Sequence, residues 1–184
     1  MNEASQESTA VKCLGDYKEA CLNLDDVAFT KQYAGAFLVH HGPFGKLNAP
    51  FSGSSTVGTE GPGTLPDRPF NPQVDFLVLE VKRRSGSSTD EPVWLGRSQD
   101  NDIVIPDESV SAVHASINES GSGVFTLQDM NSMNGTIVDD EAVPALGMGE
   151  SIPLRSAARI VIGTVALSFL YAKDFRILAK RLLG

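Results

Sequence analysis

The chain has 184 residues, 41% of them apolar, and a formal net charge of −8. That is enough to enclose one core and an appendage, and no run approaches the roughly 20 consecutive apolar residues of a membrane-spanning helix. Residues 74–172 hold six basic side chains against fourteen acidic ones, a balance that repels polyanions and excludes ordinary nucleic-acid binding.

The first residues, MNEASQESTAVK, lack the charged-then-apolar layout of a signal peptide. Cys13 and Cys21 therefore read as reduced thiols of a cytoplasmic protein. A bridge between them, or a metal site with His40 and His41, is the alternative, but the spacing fits no familiar ligand pattern. Ordinary packing is the plainer reading, and neither a metal nor a cofactor is expected.

Leu14, Tyr17, Cys21 and Leu24 recur at helical spacing, weakened by Gly15. After "NLDD", a natural helix start, "VAFTKQYAGA" pairs Phe29 with Tyr33 at i, i+4 and stops near Gly35. "FLVHH" then reads as a short strand, so residues 1–45 form a small, partly helical appendage. Residues 46–72, rich in Gly, Pro, Ser and Thr, read as a linker.

From residue 73 to 172 short strands dominate: "VDFLVLEVKRR", "VWLGRS", "DIVIP", "VHASINE", "VFTLQDM", "TIVDD", "ESIPL", "RIVIG" and "VALSFLYA". Turn residues separate them and no helical period intervenes, which implies an all-β antiparallel sandwich. Residues 173–184 change period. Ala172, Phe175, Leu178, Ala179 and Leu182 make one stripe, with Lys173, Arg176 and Lys180 beside it. This short amphipathic helix is expected to dock on the sandwich or on the appendage.

Three pieces recur in the strand-rich zone: Gly96-Arg97 at a strand end, Ser111-x-x-His114, and Asn131-Ser132-Met133-Asn134-Gly135-Thr136. Alone, each has a plain explanation: a turn with a solvated charge, loop packing, and an Asn-Gly turn. Together, in this order and with "SQDNDIVI" between the first two, they resemble the forkhead-associated (FHA) domain family over about residues 74–172.

The resemblance implies an eleven-stranded SMAD/FHA-type sandwich that binds phosphothreonine peptides through loops at one end. Arg97 would grip the phosphate, Ser111 would add a hydroxyl bond, and Asn134 would hold the peptide backbone. Ala112 and Met133 would line the same rim, while Gly96, His114 and Gly135 would frame it. A phosphothreonine brings about −1.5 to −2 charges and three acceptor oxygens, which suits the planar, permanently charged fork of an arginine. Ala112 and Met133 stand where relatives often carry polar or basic residues. Each loss of a charge-assisted bond, about 1.5–3 kcal/mol, weakens binding about ten-fold or more.

The function implied is a phosphothreonine-binding adaptor or scaffold in Ser/Thr-kinase signalling. Its partner would be a phosphothreonine-containing protein, with a Ser/Thr kinase itself among the candidates. The alternative is a phosphorylation-independent assembly module within a larger complex. A third reading makes Ser111 a nucleophile with His114 and Asp107 or Asp129, yet no glycine-framed elbow surrounds Ser111, so no enzyme is expected. In the linker, Thr64 with Asp67 three residues on is a candidate regulatory phosphosite that could occupy the chain's own module. The plainer alternative is an ordinary linker residue.

Overall fold

The computed structural model describes residues 12–41, 71–84 and 91–184. In chain order the strands are β1 (Lys12–Cys13), β2 (Ala36–His41), β3 (Phe76–Glu80), β4 (Val93–Gly96), β5 (Ile103–Val104), β6 (Ala115–Glu119), β7 (Phe125–Asp129), β8 (Thr136–Val138), β9 (Glu141–Ala142), β10 (Ile152–Pro153), β11 (Arg159–Ile162) and β12 (Val165–Tyr171). The helices are a 3-10 turn (Leu14–Tyr17), α1 (Lys18–Asn23), α2 (Asp26–Gln32), α3 (Pro72–Asp75) and α4 (Ala172–Leu183).

Two sheets face each other. One is seven-stranded, in the order β1-β3-β2-β12-β11-β8-β9; the other is five-stranded, in the order β10-β7-β6-β4-β5. Every pairing is antiparallel except β4 with β5. Alternate residues point inward, so Leu38, Leu79, Leu95, Ile117, Leu127, Ile160, Leu167 and Phe169 fill the space between the sheets. The fold is the β-sandwich anticipated above.

A second core lies on the outer face of the larger sheet. Phe37, Val39, Val78 and Leu170 point outward there and meet Tyr17, Cys21, Phe29, Phe175, Ala179 and Leu183 from the helices. Phe37 stacks on Phe175 with centroids 4.2 Å apart, and Tyr17 packs edge-on against both. Fully burying each such ring contributes about 1.5–3 kcal/mol. Asp25 caps α2 by accepting from the Ala28 N–H at 2.7 Å, and Phe29 meets Tyr33 one turn on.

The appendage is therefore not separate from the sandwich. Strand β2 sits between β3 and β12, with the register Leu38↔Leu79 and Leu38↔Phe169. Residues 36–41 are an integral strand of the large sheet, so the boundary expected at residue 45 cuts across the fold. The amphipathic helix continues directly from β12 and covers the same helices. Arg176, read from the sequence as flanking the stripe, is buried. It pairs with Asp26 and donates to the carbonyl of Leu24, holding α4 to the α1–α2 connection. Cys13 and Cys21 are both free thiols. Among the described residues no cluster could hold a metal, and no helix is long and apolar enough to cross a membrane.

Candidate functional site

Strand β4 ends at Gly96, and the chain turns sharply to place Arg97 beside the 105–114 loop. Gly96 is needed for closeness: a Cβ there would lie 2.3 Å from the Ala112 carbonyl oxygen and 2.8 Å from Asn101 Nδ2. The two loops are then laced together by backbone. Arg97 N–H donates to Ser111 O at 2.9 Å and Ser98 N–H to Ala112 O at 3.1 Å. Asn101, 2% exposed, donates from Nδ2 to both Ser98 O and Ala112 O, at 2.9 and 2.7 Å. Sequence reading missed this strut; its signal was the Asn-Asp pair just before the apolar "IVI".

Arg97 is exposed. Its Nε donates to Val110 O at 3.2 Å, which orients the guanidinium, and it forms no ion pair among the described residues. Ser111 Oγ accepts the Met133 N–H at 3.0 Å, joining the second loop to the third. Asn134 Nδ2 donates to Ser109 O at 2.7 Å, leaving its Oδ1 without a protein donor among the described residues. Arg97, Ser111 and Asn134 are thus carried on three loops at one end of the sandwich. Met133 is 90% exposed, and Ala112 is exposed as well.

His114 is fully buried and bridges two of these loops. Its Nδ1 accepts the Ser111 N–H at 3.0 Å, so the ring proton sits on Nε2 and is donated to Gly135 O at 3.1 Å. Burial pulls its pKa below the ordinary histidine value, more strongly than the Gly135 carbonyl and the Asp129 charge push it up. The neutral tautomer is the one this geometry requires. Both ring nitrogens face backbone groups, so no Ser111–His114 dyad of the nucleophilic kind is assembled.

Asp129 shapes the third loop. Its Oδ1 accepts the Ser132 N–H at 2.9 Å, and its Oδ2 accepts the Ser132 and Thr136 hydroxyls at 2.6 and 2.7 Å. Ser132 Oγ in turn accepts the Gly135 N–H at 3.0 Å. Burial raises the Asp129 pKa, but these hydrogen bonds outweigh it and hold the carboxyl below its usual range. Gly135 completes the turn at φ 75°, a region glycine occupies freely. Asp107 instead holds Ser109, accepting its N–H and hydroxyl on one oxygen at 2.9 and 2.6 Å. Thr64 lies outside the described residues.

The FHA domain family model matches residues 93–163. Protein phosphatase 2C 70 of Arabidopsis thaliana is 38% identical over 94 residues, 48% of this chain and 16% of the phosphatase. FHA domain-containing protein FhaB of Mycobacterium tuberculosis is 32% identical over 92 residues, 48% of this chain and 52% of FhaB. The chain therefore spans about a sixth and about half of the length of those two relatives. The glycogen accumulation regulator GarA of Mycolicibacterium smegmatis is 31% identical over 130 residues, covering 68% of this chain and 73% of GarA. With a relative matched over most of its length, and the family model lying on the three loops just described, the chain belongs to the FHA-domain family.

Proposed function

We propose that this chain is a phosphothreonine-binding adaptor in Ser/Thr-kinase signalling, acting in the cytoplasm and without catalysis of its own. One observation carries the reading: Arg97 is exposed, steered by a backbone carbonyl and unneutralised by any carboxylate among the described residues. In a chain with this excess of acid, a cation left unpaired beside a hydroxyl and a carboxamide is suited to a single dianion. Arg97 binds the phosphate through its two Nη groups, Ser111 donates its hydroxyl, and Asn134 holds the peptide backbone. Gly96, His114 and Gly135 keep the three loops in register, and Ala112 and Met133 form the rim.

The partner is a protein carrying phosphothreonine, the kinase that made it included. The likeness to GarA, a regulator by its name, supports a binding role over an enzymatic one. The acidic surface opposes nucleic acid. To test the reading, the full chain is titrated with an oriented phosphothreonine peptide library and with its phosphatase-treated twin. Binding that disappears with the phosphate supports recognition. Equal binding of both pools makes the chain a phosphorylation-independent assembly module instead.

A further inference from the structure

Asn134 is exposed, and an exposed carboxamide turns freely about its side-chain torsions unless something holds it. What holds it is the Ser109 carbonyl, which accepts from Nδ2 at 2.7 Å. The place of that carbonyl therefore decides where Asn134 Oδ1 points. Ser109 is itself fixed at every polar atom. Its N–H and its hydroxyl both go to Asp107 Oδ1, at 2.9 and 2.6 Å. With the single hydroxyl proton directed there, Thr164 Oγ1, 2.9 Å away, must donate to Ser109 Oγ, and the Thr164 N–H donates to the same oxygen at 2.9 Å.

Thr164 belongs to none of the three loops. It lies with Gly163 in the two-residue turn of the β11–β12 hairpin, closed by the Ile162↔Val165 pair. Gly163, at φ 61°, comes so near that a Cβ would meet Ser109 O at 2.5 Å and Ser109 Oγ at 2.7 Å. Its N–H also donates to Gly135 O at 3.2 Å. The turn thus braces the residue beneath the Asn134 side chain and the peptide that follows Asn134 in the chain.

The phosphate side has supports of its own. Arg97 rests on Val110 O through Nε and on Ser111 O through its N–H, and Asn101 and His114 tie those loops. None of these bonds passes through Thr164. On the phosphothreonine reading above, we propose that Ser109 and the Gly163–Thr164 turn are positioning residues for Asn134, a fourth loop that aims its Oδ1 at a peptide N–H while Arg97 keeps the phosphate. The backbone half and the phosphate half of the site are then separable by substitutions that touch no ligand.

The test titrates the full chain with a phosphothreonine peptide, its unphosphorylated twin, and phenyl phosphate, a phosphate monoester with no peptide backbone. Ser109→Ala should lower phosphopeptide affinity about five-fold, and Thr164→Val, an exposed change of the same shape that spares the fold, about two-fold. Phenyl phosphate binding should stay within about two-fold of the parent in both, because its contacts are independent of Asn134. Thr164→Ser keeps the hydroxyl and should recover the parent affinity. In an Asn134→Ala background Ser109→Ala should add no further loss, since the group it positions is gone. Parent-like phosphopeptide binding by Ser109→Ala and Thr164→Val, or by Asn134→Ala, overturns the proposal while the phosphothreonine reading stands. So do equal losses for peptide and phenyl phosphate, or full additivity with Asn134→Ala. Equal binding of the phosphorylated and unphosphorylated peptides by the parent overturns that reading, and the proposal with it.

Discussion

Replacing His114 by alanine separates what frames the site from what binds. The ring is fully buried, accepts the Ser111 N–H and donates to Gly135 O. Removing it deletes two hydrogen bonds between neutral groups, about 1 kcal/mol each, and leaves an N–H and a carbonyl to be rehydrated or orphaned. With the cavity added, the expected loss is about 2–4 kcal/mol. For a chain of this size that lowers the thermal midpoint by roughly 5–15 °C. Urea unfolding followed through Trp94, the single tryptophan, measures it directly. A loss under about 0.5 kcal/mol would refute the bridging role of His114. The pH dependence follows from the same geometry. The folded-state pKa lies below the ordinary value near 6.5, so above that pH both states are neutral and the stability is fully present. As pH falls through about 6.5 the unfolded chain takes up the proton first, and this part of the stability is lost until the folded-state pKa is passed. The parent should weaken over that window, and His114→Gln should flatten the slope.

Three further substitutions bear on the account. Gly96→Ala should destabilise by about 1–3 kcal/mol and weaken phosphopeptide binding, because its Cβ would lie 2.3 Å from Ala112 O and force the two loops apart; denaturant unfolding and calorimetry read the two effects. Ala157→Gly should stabilise by about 0.5–1 kcal/mol, since Ala157 holds φ 66° with no side-chain hydrogen bond to compensate; a raised thermal midpoint checks it. Arg176→Ala should cost about 1–3 kcal/mol, through the lost hydrogen bond to the Leu24 carbonyl and the lost packing of its buried stem, while the exposed Asp26 is simply rehydrated; faster amide exchange in residues 172–183 would report it.

The sandwich was legible in the sequence as a run of short strands, and so was the order of the three loop motifs that the fold brings to one end. Gly-Arg, Ser-x-x-His and Asn-Gly-Thr belong to loops whose chemistry is local, so order and spacing bring them together on paper as in space. The inward role of His114 followed from the family resemblance. Its tautomer did not, because that depends on a carbonyl 21 residues away. The Asp129–Ser132–Thr136 lattice was hidden for a similar reason: Asp129 closes the quoted strand "VFTLQDM", but only the fold shows that it organises the loop that follows. Strand β2 was placed outside the sandwich because "AFLVHH" is apolar on both faces. Such a run lacks the alternation of a half-solvated strand, and its partners β3 and β12 lie far along the chain. Arg176 was placed only beside the apolar stripe, since helical spacing does not reveal that α1 and α2 cover that side.

The most direct measurement is isothermal titration of one phosphothreonine peptide into the parent chain and into Arg97→Ala, paired with their thermal midpoints. Loss of the exposed guanidinium removes charge-assisted bonds worth about 1.5–3 kcal/mol, so affinity should fall roughly ten- to hundred-fold while the midpoint moves by about 2 °C or less. Unchanged affinity in the variant would contradict the assignment of this end of the sandwich as a phosphate-binding site.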